Sequence, residues 1–523
     1  MAPLLQYPIK TLEILSGILA FCVLYLIGRI IYNLYFHTLS RFPGPKSWAA
    51  SRLPYIRHIQ AGTLAREIRV LHCKYGDVVR VAPDELSFAT PEALQDIYTK
   101  TASHPAFPKG AFWNGTIKGQ PFMVLNALDP SDHARMRKDV ASAFTEKAVR
   151  AQEGLIEQYA TKLVSCLEQV VSKSEEGAVL DITRWINFAA FDCIGDLAFG
   201  ESFKCLESNE FHPWAIEILA TFKAVACAAS LRYYPYLDWL LRLAIPNRVW
   251  ETQKYHFQLA VDKVQRRLRC EKERQRPDVI GMLKLDEDGR EGLTIRELHA
   301  HAPLIIIAGS QTIVTVLSGI VNFLIKNPEK LAILTKEVRN IRNQSEITQA
   351  ALKDLEYLNA VIKEGLRNCM PAAGGLNRLT PPAGGIVSGH QLPGNIHVNV
   401  QPLSIHLSPI YFHDPTAFIP ERWLSATIED PASPYHSDRR NAVLPFSTGP
   451  RSCPGKALAW AEIRLLLARL VWNFDFEEVD SVKGRLRWEE QNVYIAVERK
   501  PFEVRLKARS FGVEETLSEQ LYI

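Results

Sequence analysis

The sequence predicts a mainly α-helical body with a smaller β part, preceded by one N-terminal membrane helix. Helical periodicity dominates from about residue 128 to residue 370, whereas short strand patterns with frequent glycine and proline follow Pro371. A long uncharged apolar stretch opens the chain. Because no internal repeat or long linker interrupts residues 41–523, we expect a single domain there and an anchor within residues 1–40.

The composition is that of an ordinary globular protein and excludes several classes of function. The 523 residues include 61 Lys and Arg and 57 Asp and Glu, and the net charge of +4 is too small to predict nucleic-acid binding. The 9 cysteines are odd in number and lack paired spacing, which argues against a disulfide framework or a cysteine-pair zinc site. Reduced thiols indicate a body that faces the cytosol.

The anchor prediction rests on the apolar residues near the N-terminus. The uncharged residues 14–28 are fewer than the roughly 20 that span a bilayer, but Arg29 can extend its side chain to the interface and residues 30–36 are again apolar. A cleaved signal peptide is the alternative, although no small-x-small cleavage pattern follows. Basic residues beyond this stretch place the body in the cytosol. The Pro-Gly-Pro pattern of residues 41–45 predicts a rigid spacer.

Several elements of the body can be predicted from local signals. Residues 78–83 and 85–88 have the pattern of a β-hairpin with Pro83-Asp84 in the turn. Thr294 and Glu297 form a capping-box pattern, which predicts the start of an apolar helix that continues towards Leu324.

Later elements follow from proline positions and periodicity. Pro328 predicts the first turn of another helix, and two more helices are expected at about residues 352–368 and 455–474. The last fifty residues alternate as strands do. His299 and His301 are two apart on a helix and point to different faces, so we expect structural roles for them rather than a metal site.

The segment at residues 446–455 carries the strongest chemical signal. It contains Phe446, Gly449, Arg451, Cys453 and Gly455. A thiolate on haem iron favours O–O bond cleavage, and a loop that enters a helix can stabilise the negative sulfur. Arg451 can bind a haem carboxylate, Phe446 can shield the sulfur, and the glycines allow a sharp turn and a close approach to the flat macrocycle. The alternative, a buried thiol in a proline-rich loop, does not explain five fixed positions, whose chance occurrence is about one in six thousand.

This segment resembles the cysteine loop of the cytochrome P450 superfamily, Phe-x-x-Gly-x-Arg-x-Cys-x-Gly, at every fixed position. The resemblance extends over nearly the whole chain and implies the P450 fold with Cys453 as the axial ligand of the haem iron. It also implies that Glu364 and Arg367 form the Glu-x-x-Arg pair and that Arg422 completes a structural triad without a chemical role. An isolated surface ion pair is the alternative.

The same resemblance implies further haem-binding residues. His133 and Arg137 occupy the positions of the Trp-x-x-x-Arg pattern, where they would bind haem propionates, and Arg378 matches another propionate-binding position. Each arginine could instead be a solvated surface charge.

The oxygen-activating segment departs from the family pattern Ala/Gly-Gly-x-Asp/Glu-Thr. Gly309 and Thr312 are present, and the resemblance implies an oxygen-binding groove at the glycine and proton delivery at the threonine. Gln311 replaces the acid and cannot ionise. Three alternatives follow: ordinary monooxygenation through water, slow proton delivery that favours desaturation, coupling, ring expansion or rearrangement, or loss of oxygen activation.

Among P450 enzymes, the chain is most similar to microsomal members of fungal secondary metabolism. This similarity implies a single-pass endoplasmic-reticulum protein, active as a monomer, that uses O2 and electrons from NADPH through a cytochrome P450 reductase. The substrate would be a hydrophobic small molecule, such as a polyketide, peptide-derived metabolite or terpenoid. Its binding pocket would be lined by residues 106–124, 304–308 and 372–376. A haem-binding protein without turnover and a membrane-tethered protein without haem are the alternatives from other classes.

Overall fold

The computed structural model describes residues 6–100, 105–110, 121–234, 236, 239, 247–269, 278–286 and 291–509. Helices dominate this part of the chain, as the sequence predicted. In chain order they are α1 Gln6–Ile31, α2 Lys46–Ala50, α3 Leu53–Ala61, α4 Leu64–Tyr75, α5 Pro91–Tyr98, α6 Pro130–Ser142, α7 Glu146–Ala151, α8 Glu153–Val171, α9 Ile182–Phe199, α10 Cys205–Ser208, α11 Pro213–Leu231, α12 Asn247–Arg269, α13 Val279–Met282, α14 Ile295–Ile325, α15 Pro328–Arg339, α16 Gln349–Lys353, α17 Glu356–Asn368, α18 Pro402–His406, α19 Ser425–Glu429 and α20 Lys456–Asn473.

The smaller β part consists of short strands in four small sheets. The strands are β1 Val78–Ala82, β2 Glu85–Phe88, β3 Ala178–Asp181, β4 Arg378–Leu379, β5 Gly385–Val387, β6 His390–Leu392, β7 His397–Val400, β8 Phe474–Glu478, β9 Asn492–Val493, β10 Val497–Glu498 and β11 Glu503–Ala508. The sheet orders are β1-β2-β7-β4, β3-β11-β8, β9-β10 and β5-β6. All pairings are antiparallel except β2 with β7.

The longest helix of the body, α14, runs through the main hydrophobic core. It packs against α9, α17 and α20, and its buried face supplies residues such as Ile306, Val314 and Ile320. The helix begins at the predicted capping box, in which Thr294 Oγ1 accepts from the Glu297 N–H and Glu297 accepts from the Thr294 N–H. It continues through Pro303 to Ile325 without interruption.

Most locally predicted elements are confirmed, and one is divided. The hairpin forms with the predicted strands, α15 begins at Pro328, and α20 lies where a helix was expected. The helix expected over 352–368 is two helices, because Leu355 has an extended backbone and the Asn359 amide binds the carbonyl oxygens of Leu352 and Lys353. The end of α16 is therefore capped before α17 begins.

The N-terminal helix is long and apolar enough to span a membrane. Within Glu13–Phe36, which has a mean hydropathy of 2.3, the 18-residue apolar window is 0 % buried. The helix passes through Arg29 and ends in a π-helical turn, Tyr32–Phe36, so the charge does not break the apolar segment. Asn33 in this turn is buried and donates to the Ala50 carbonyl oxygen at 2.9 Å, which fixes the end of the helix to α2 of the body.

Candidate active site

The predicted cysteine loop forms a tight turn before α20. The Cys453 N–H donates to the Phe446 carbonyl oxygen at 2.8 Å, and the Ser452 N–H donates to the Gly449 carbonyl oxygen at 3.1 Å. These bonds close the loop so that Cys453 lies just ahead of the first turn of the helix. The residue is solvent-accessible although α20 is largely buried, so its thiol faces an open space at the end of the helix.

The loop glycines have different physical roles. Gly449 has a φ of +76°, and a Cβ atom there would lie 2.0 Å from the Tyr98 carbonyl oxygen, so the loop can pack on the end of α5 only with glycine. A Cβ atom at Gly455 would meet only Cys453 Sγ, at 4.0 Å. The surface beside the sulfur is therefore open enough for a flat group.

The electrostatic surroundings act on the Cys453 thiol in opposite directions. Burial raises its pKa, whereas the Gly455 N–H and the positive charge of Arg137 lower it. Because the first effect is the largest, the loop alone holds a neutral thiol. A coordinating metal ion deprotonates such a thiol directly.

A cluster of positive side chains converges near this loop. Arg378 is buried, and the Nη1 atom of Arg451 is buried without a hydrogen-bond partner. The pKa of Arg451 is lowered to about 10 by burial and by Arg378. The pKa of His133 is lowered to about 4 by burial and then by four cations, of which Arg451 acts most strongly. We call Lys109, His133, Arg378 and Arg451 the cation cluster.

Lys109 is a member of the cation cluster that the sequence analysis did not identify. It is half-buried, and its Nζ donates to the Leu125 carbonyl oxygen. Burial, together with Arg378 and Arg451, lowers its pKa to about 7. No sequence motif marks this lysine, which lies at the edge of a proline-rich segment without regular structure.

Arg137, which was expected to bind a propionate, contacts the cysteine loop. Its Nη1 donates to the Ser452 carbonyl oxygen at 2.5 Å, and its Nη2 lies 3.5 Å from Ser452 Oγ. α6 places this arginine next to the loop backbone, one residue before Cys453. His133, also on α6, lies in the cation cluster, and propionate binding by both residues stays a prediction.

The segment of α14 at residues 308–312 presents one face to open space. Ala308 and Thr312, four residues apart, are exposed, although most of this helix is buried. Thr312 Oγ1 donates to the Ala308 carbonyl oxygen at 2.7 Å, so the hydroxyl oxygen still has lone pairs to accept a hydrogen bond. This placement is compatible with the expected proton-delivery role of Thr312.

Gly309 lies where helix packing requires a glycine. A Cβ atom there would be 2.5 Å from Ile194 Cδ1 on α9, because the two helices pack closely at this point. The expectation was that the missing side chain opens a groove for oxygen. The missing side chain makes room for α9, while Ala308 and Thr312 are exposed, and the groove for oxygen stays a prediction.

Gln311 points away from the accessible face. It is 2 % exposed, and its Oε1 accepts a hydrogen bond from Arg499. Consecutive helix residues are about 100° apart, so Gln311 and Thr312 point in different directions. The side chain of Gln311 therefore does not lie beside the Thr312 hydroxyl, and its partner is Arg499, a residue that no sequence motif marks.

The structure brings Glu364, Arg367 and Arg422 together in a fully buried ion network. Arg367 binds both carboxylate oxygens of Glu364, at 2.6 and 2.9 Å, and Arg422 Nε lies 3.3 Å from Glu364 Oε1. Arg422 also pairs with Asp438, and the Trp423 indole donates to Glu364 at 2.8 Å. The triad thus joins α17 to the loop that precedes the cysteine segment.

The expected substrate-lining segments are only partly accessible. Phe122 is 38 % exposed and Leu376 is 37 % exposed, while Ile305 and Ile306 are buried in the core. Residues 111–120, including Asn114 and Lys118, lie outside the described residues. The exposed residues of these segments, such as Phe122, Ala308 and Leu376, are therefore apolar or small.

A second buried polar pair lies in the core below the cysteine loop. Glu462 on α20 is 1 % exposed, and Cys193 on α9 donates to its Oε1 at 3.9 Å, whereas its Oε2 has no partner. Burial raises the pKa of Glu462 to about 8. The carboxyl group is therefore mostly protonated at neutral pH. The signal that could have identified it is an acidic residue within an otherwise apolar helix face.

The residues present fit a haem group. The unpaired, buried Nη1 of Arg451 and the convergent positive charges of the cation cluster require an anionic partner, and no ion pair involving Lys109, Arg378 or Arg451 occurs among the described residues. The two propionates of haem meet this requirement, and the open face between Cys453 and Gly455 accommodates its flat ring. No group of three or more His, Cys, Asp or Glu side chains that could hold a metal ion occurs among the described residues.

Comparisons with known proteins agree with this geometry. The profile of the family Cytochrome P450 matches residues 43–506. The chain is 38% identical over 493 residues to cytochrome P450 monooxygenase lcsI of Purpureocillium lilacinum, covering 93% of each chain. It is 39% identical to cytochrome P450 monooxygenase stcF of Emericella nidulans, covering 93% of this chain and 98% of the relative. It is 38% identical to averantin hydroxylase of Dothistroma septosporum, covering 93% and 90%.

Proposed function

The chain belongs to the cytochrome P450 family and is a monooxygenase, and we propose that it oxidises a hydrophobic small molecule in fungal secondary metabolism. The observation that carries the proposal is the cysteine loop, in which an accessible Cys453 lies beside the open surface of Gly455. The cation cluster supplies the charges that a haem group needs at its propionates. Together these residues support a haem-thiolate enzyme.

When bound, haem supplies the oxidising chemistry, because a thiolate ligand favours cleavage of the O–O bond of oxygen. The protein residues bind the haem, orient the substrate and deliver protons. Cys453 would bind the iron of the haem group, while His133, Arg378, Arg451 and Lys109 would hold its propionates. Thr312 holds a proton at Oγ1 on the open face of α14, where its bond to the Ala308 carbonyl oxygen fixes its rotamer.

The proposed substrate class follows from the accessible side chains. Phe122, Leu376 and Ala308 are exposed apolar side chains in the segments that were expected to line the substrate. A polyketide, a peptide-derived metabolite or a terpenoid has the size and polarity that such a surface binds. One relative is named a hydroxylase, which favours hydroxylation as the reaction.

Desaturation, coupling, ring expansion or rearrangement is the second candidate reaction class. The side chain of Gln311 is an amide, which cannot ionise, and it points away from Thr312. Residue 311 therefore places no ionisable group on the open face of α14. Slow proton delivery at this site is the reason to keep these reactions as an alternative to hydroxylation. Product analysis distinguishes the two classes, because only hydroxylation leaves an oxygen atom from O2 in the product.

The proposed cellular setting is the endoplasmic-reticulum membrane. The apolar helix Glu13–Phe36 supports a single-pass anchor ahead of a catalytic domain at residues 41–523, with the domain in the cytosol. Electrons would come from NADPH through a membrane-bound cytochrome P450 reductase, and the protein would act as a monomer. Asn343, in an exposed Asn-Gln-Ser pattern, tests the topology, since it stays unglycosylated if the domain is cytosolic.

Metabolite depletion tests the proposed function directly. Microsomes that contain the chain and a P450 reductase are incubated with NADPH and extracts from a strain that lacks the enzyme. We expect one hydrophobic metabolite to disappear and an oxidised product to form only when NADPH and O2 are both present. Depletion without NADPH, or no depletion by protein with intact haem absorbance, would contradict the proposal.

A further inference from the structure

A charged side chain from the C-terminal part of the chain lies against the segment of α14 that carries Thr312. Arg499, just after β10, donates through Nη1 to the Gln311 carbonyl oxygen at 2.9 Å and to Thr315 Oγ1 at 3.1 Å. Its Nη2 donates to Gln311 Oε1. Because Gln311 and Thr315 are buried, the guanidinium is fixed to both the backbone and the side chain of residue 311.

Arg499 differs from other buried arginines of the described residues in the partners of its guanidinium group. Arg267, Arg367 and Arg422 each pair with a carboxylate. Arg499 forms no ion pair with a described carboxylate, its Nε is buried without a partner, and burial lowers its pKa to about 10. A glutamate at residue 311 would neutralise this charge, but the chain has a neutral glutamine there.

The hydrogen bonds of Gln311 leave its amide only one orientation. Its Nε2 donates to Ser310 Oγ at 3.2 Å, and Ser310 Oγ donates to the Ile306 carbonyl oxygen at 2.7 Å. A flipped amide would place its NH2 group against the guanidinium of Arg499, where both groups are donors. The side chain therefore stays on the buried side of α14, while Thr312 stays on the accessible side.

We propose that Arg499 is a positioning residue that holds side chain 311 out of the space beside Thr312, so that residue 311 takes no part in proton delivery. This inference rests on the proposed monooxygenase function and deepens it. Protons reach Thr312 Oγ1 through water on the open face of α14. The bonds from Arg499 to the Gln311 carbonyl oxygen and to Thr315 also keep the turn below Thr312 in place.

The partition of electrons from NADPH tests the proposal without a known substrate. In the absence of substrate, one NADPH and one O2 yield one H2O2, whereas two NADPH and one O2 yield two H2O. The H2O2 released per NADPH oxidised therefore reports proton delivery. It is measured with the full chain, a P450 reductase and NADPH, in the wild type, Gln311→Glu, Arg499→Met and the double variant.

We expect Gln311→Glu alone to change the H2O2 ratio by less than about twofold, because Arg499 binds the new carboxylate on the buried side. In the Arg499→Met background the same substitution changes the ratio by at least about threefold, since the carboxylate is free to turn towards Thr312. An equal effect of Gln311→Glu in both backgrounds, or a change above about threefold in the single variant, would overturn the proposal.

Thermal unfolding supplies a second measurement that does not depend on turnover. With Arg499 present, Gln311→Glu raises the midpoint by about 2 °C or more, because it completes a buried ion pair. With Met at 499, it lowers the midpoint, because the carboxylate is unpaired. Additive shifts would show that residues 311 and 499 are not coupled. If Arg499→Met does not incorporate haem, Arg499→Gln replaces it in both measurements.

Arg469 provides a matched control. It is 7 % exposed, its Nε is also buried without a partner, and its Nη2 lies 3.5 Å from the Ile347 carbonyl oxygen rather than on α14. Arg469→Met should leave the H2O2 ratio unchanged, and an effect as large as that of Arg499→Met would overturn the assignment. A wild type with no thiolate-type carbon-monoxide spectrum would instead contradict the proposed function, not the role of Arg499.

Discussion

The triad and the cation cluster both contain buried arginines, but their charges are balanced in opposite ways. Arg367 and Arg422 in the triad bind Glu364 and Asp438, so two guanidinium groups meet two carboxylates. Arg451 in the cation cluster has a buried Nη1 without a partner. Its described neighbours include further cations rather than a neutralising acid.

This difference in charge balance distinguishes residues that stabilise the fold from residues that bind a ligand. A balanced and hydrogen-bonded buried network is strongly stabilising once it exists, because removal of one member leaves an unpaired charge. An unbalanced group of like charges destabilises the protein alone and gains stability when an anion binds. We therefore expect opposite responses when an arginine is removed from each group.

The largest effect is expected in the triad. Arg367→Met leaves Glu364 buried with one fewer cation, and we expect the free energy of unfolding to fall by about 3–5 kcal/mol, measured by denaturant unfolding. Arg485→Met is the control, because Arg485 forms an exposed pair with Asp480 and should change stability by less than about 0.5 kcal/mol. Similar stability of the two variants would show that the triad is not a structural network.

An intermediate effect is expected at Glu462, an unpaired buried acid. Its pKa of about 8 lies above the value of about 4.3 in the unfolded chain, so the folded protein binds the proton more tightly. The contribution of this group to the free energy of unfolding is fully present below about pH 4.3 and is lost as the pH rises towards 8. Across this range the wild type should lose on the order of 1–3 kcal/mol of its free energy of unfolding. Glu462→Gln should not show this loss when unfolding is measured at several pH values.

An exposed acid serves as the control for that pH profile. Glu429→Gln changes a solvent-exposed residue and should leave the slope of stability against pH as in the wild type. A Glu462→Gln variant with an unaltered slope would contradict the assignment of a neutral carboxyl group in the core.

The smallest effect on the fold is expected in the cation cluster. Arg451→Met removes a donor for a haem propionate, and we expect haem dissociation to accelerate about tenfold, measured by transfer to a haem-binding acceptor protein. The haem-free protein should be as stable as the wild type or slightly more stable, because like-charge repulsion with Arg378 is relieved. Lower stability without faster haem loss would place Arg451 with the triad instead.

The parts of the site that could be predicted are those with a short sequence signature. Cys453, Gly449 and Gly455 lie within one loop, where spacing along the chain determines the geometry. Glu364 and Arg367 share a helix face because they are three residues apart. In these cases the local backbone already places the side chains together.

The remaining contacts depend on distant parts of the chain. Gln311 meets Arg499 across 188 residues, and no local pattern connects them. Lys109 lies in a segment without regular structure, so its position near Arg378 follows only from packing. Gly309 could be identified from its motif with Thr312, whereas its close contact with Ile194 depends on the packing of two helices that the motif does not show.

The reduced carbon-monoxide spectrum of Cys453→Ser tests the central claim, that the thiolate of this residue would bind the haem iron. We expect the wild type to show the absorbance of a thiolate-ligated haem, and the variant to lose that band and NADPH-dependent oxidation together. An unaltered thiolate band and full turnover in Cys453→Ser would contradict the account.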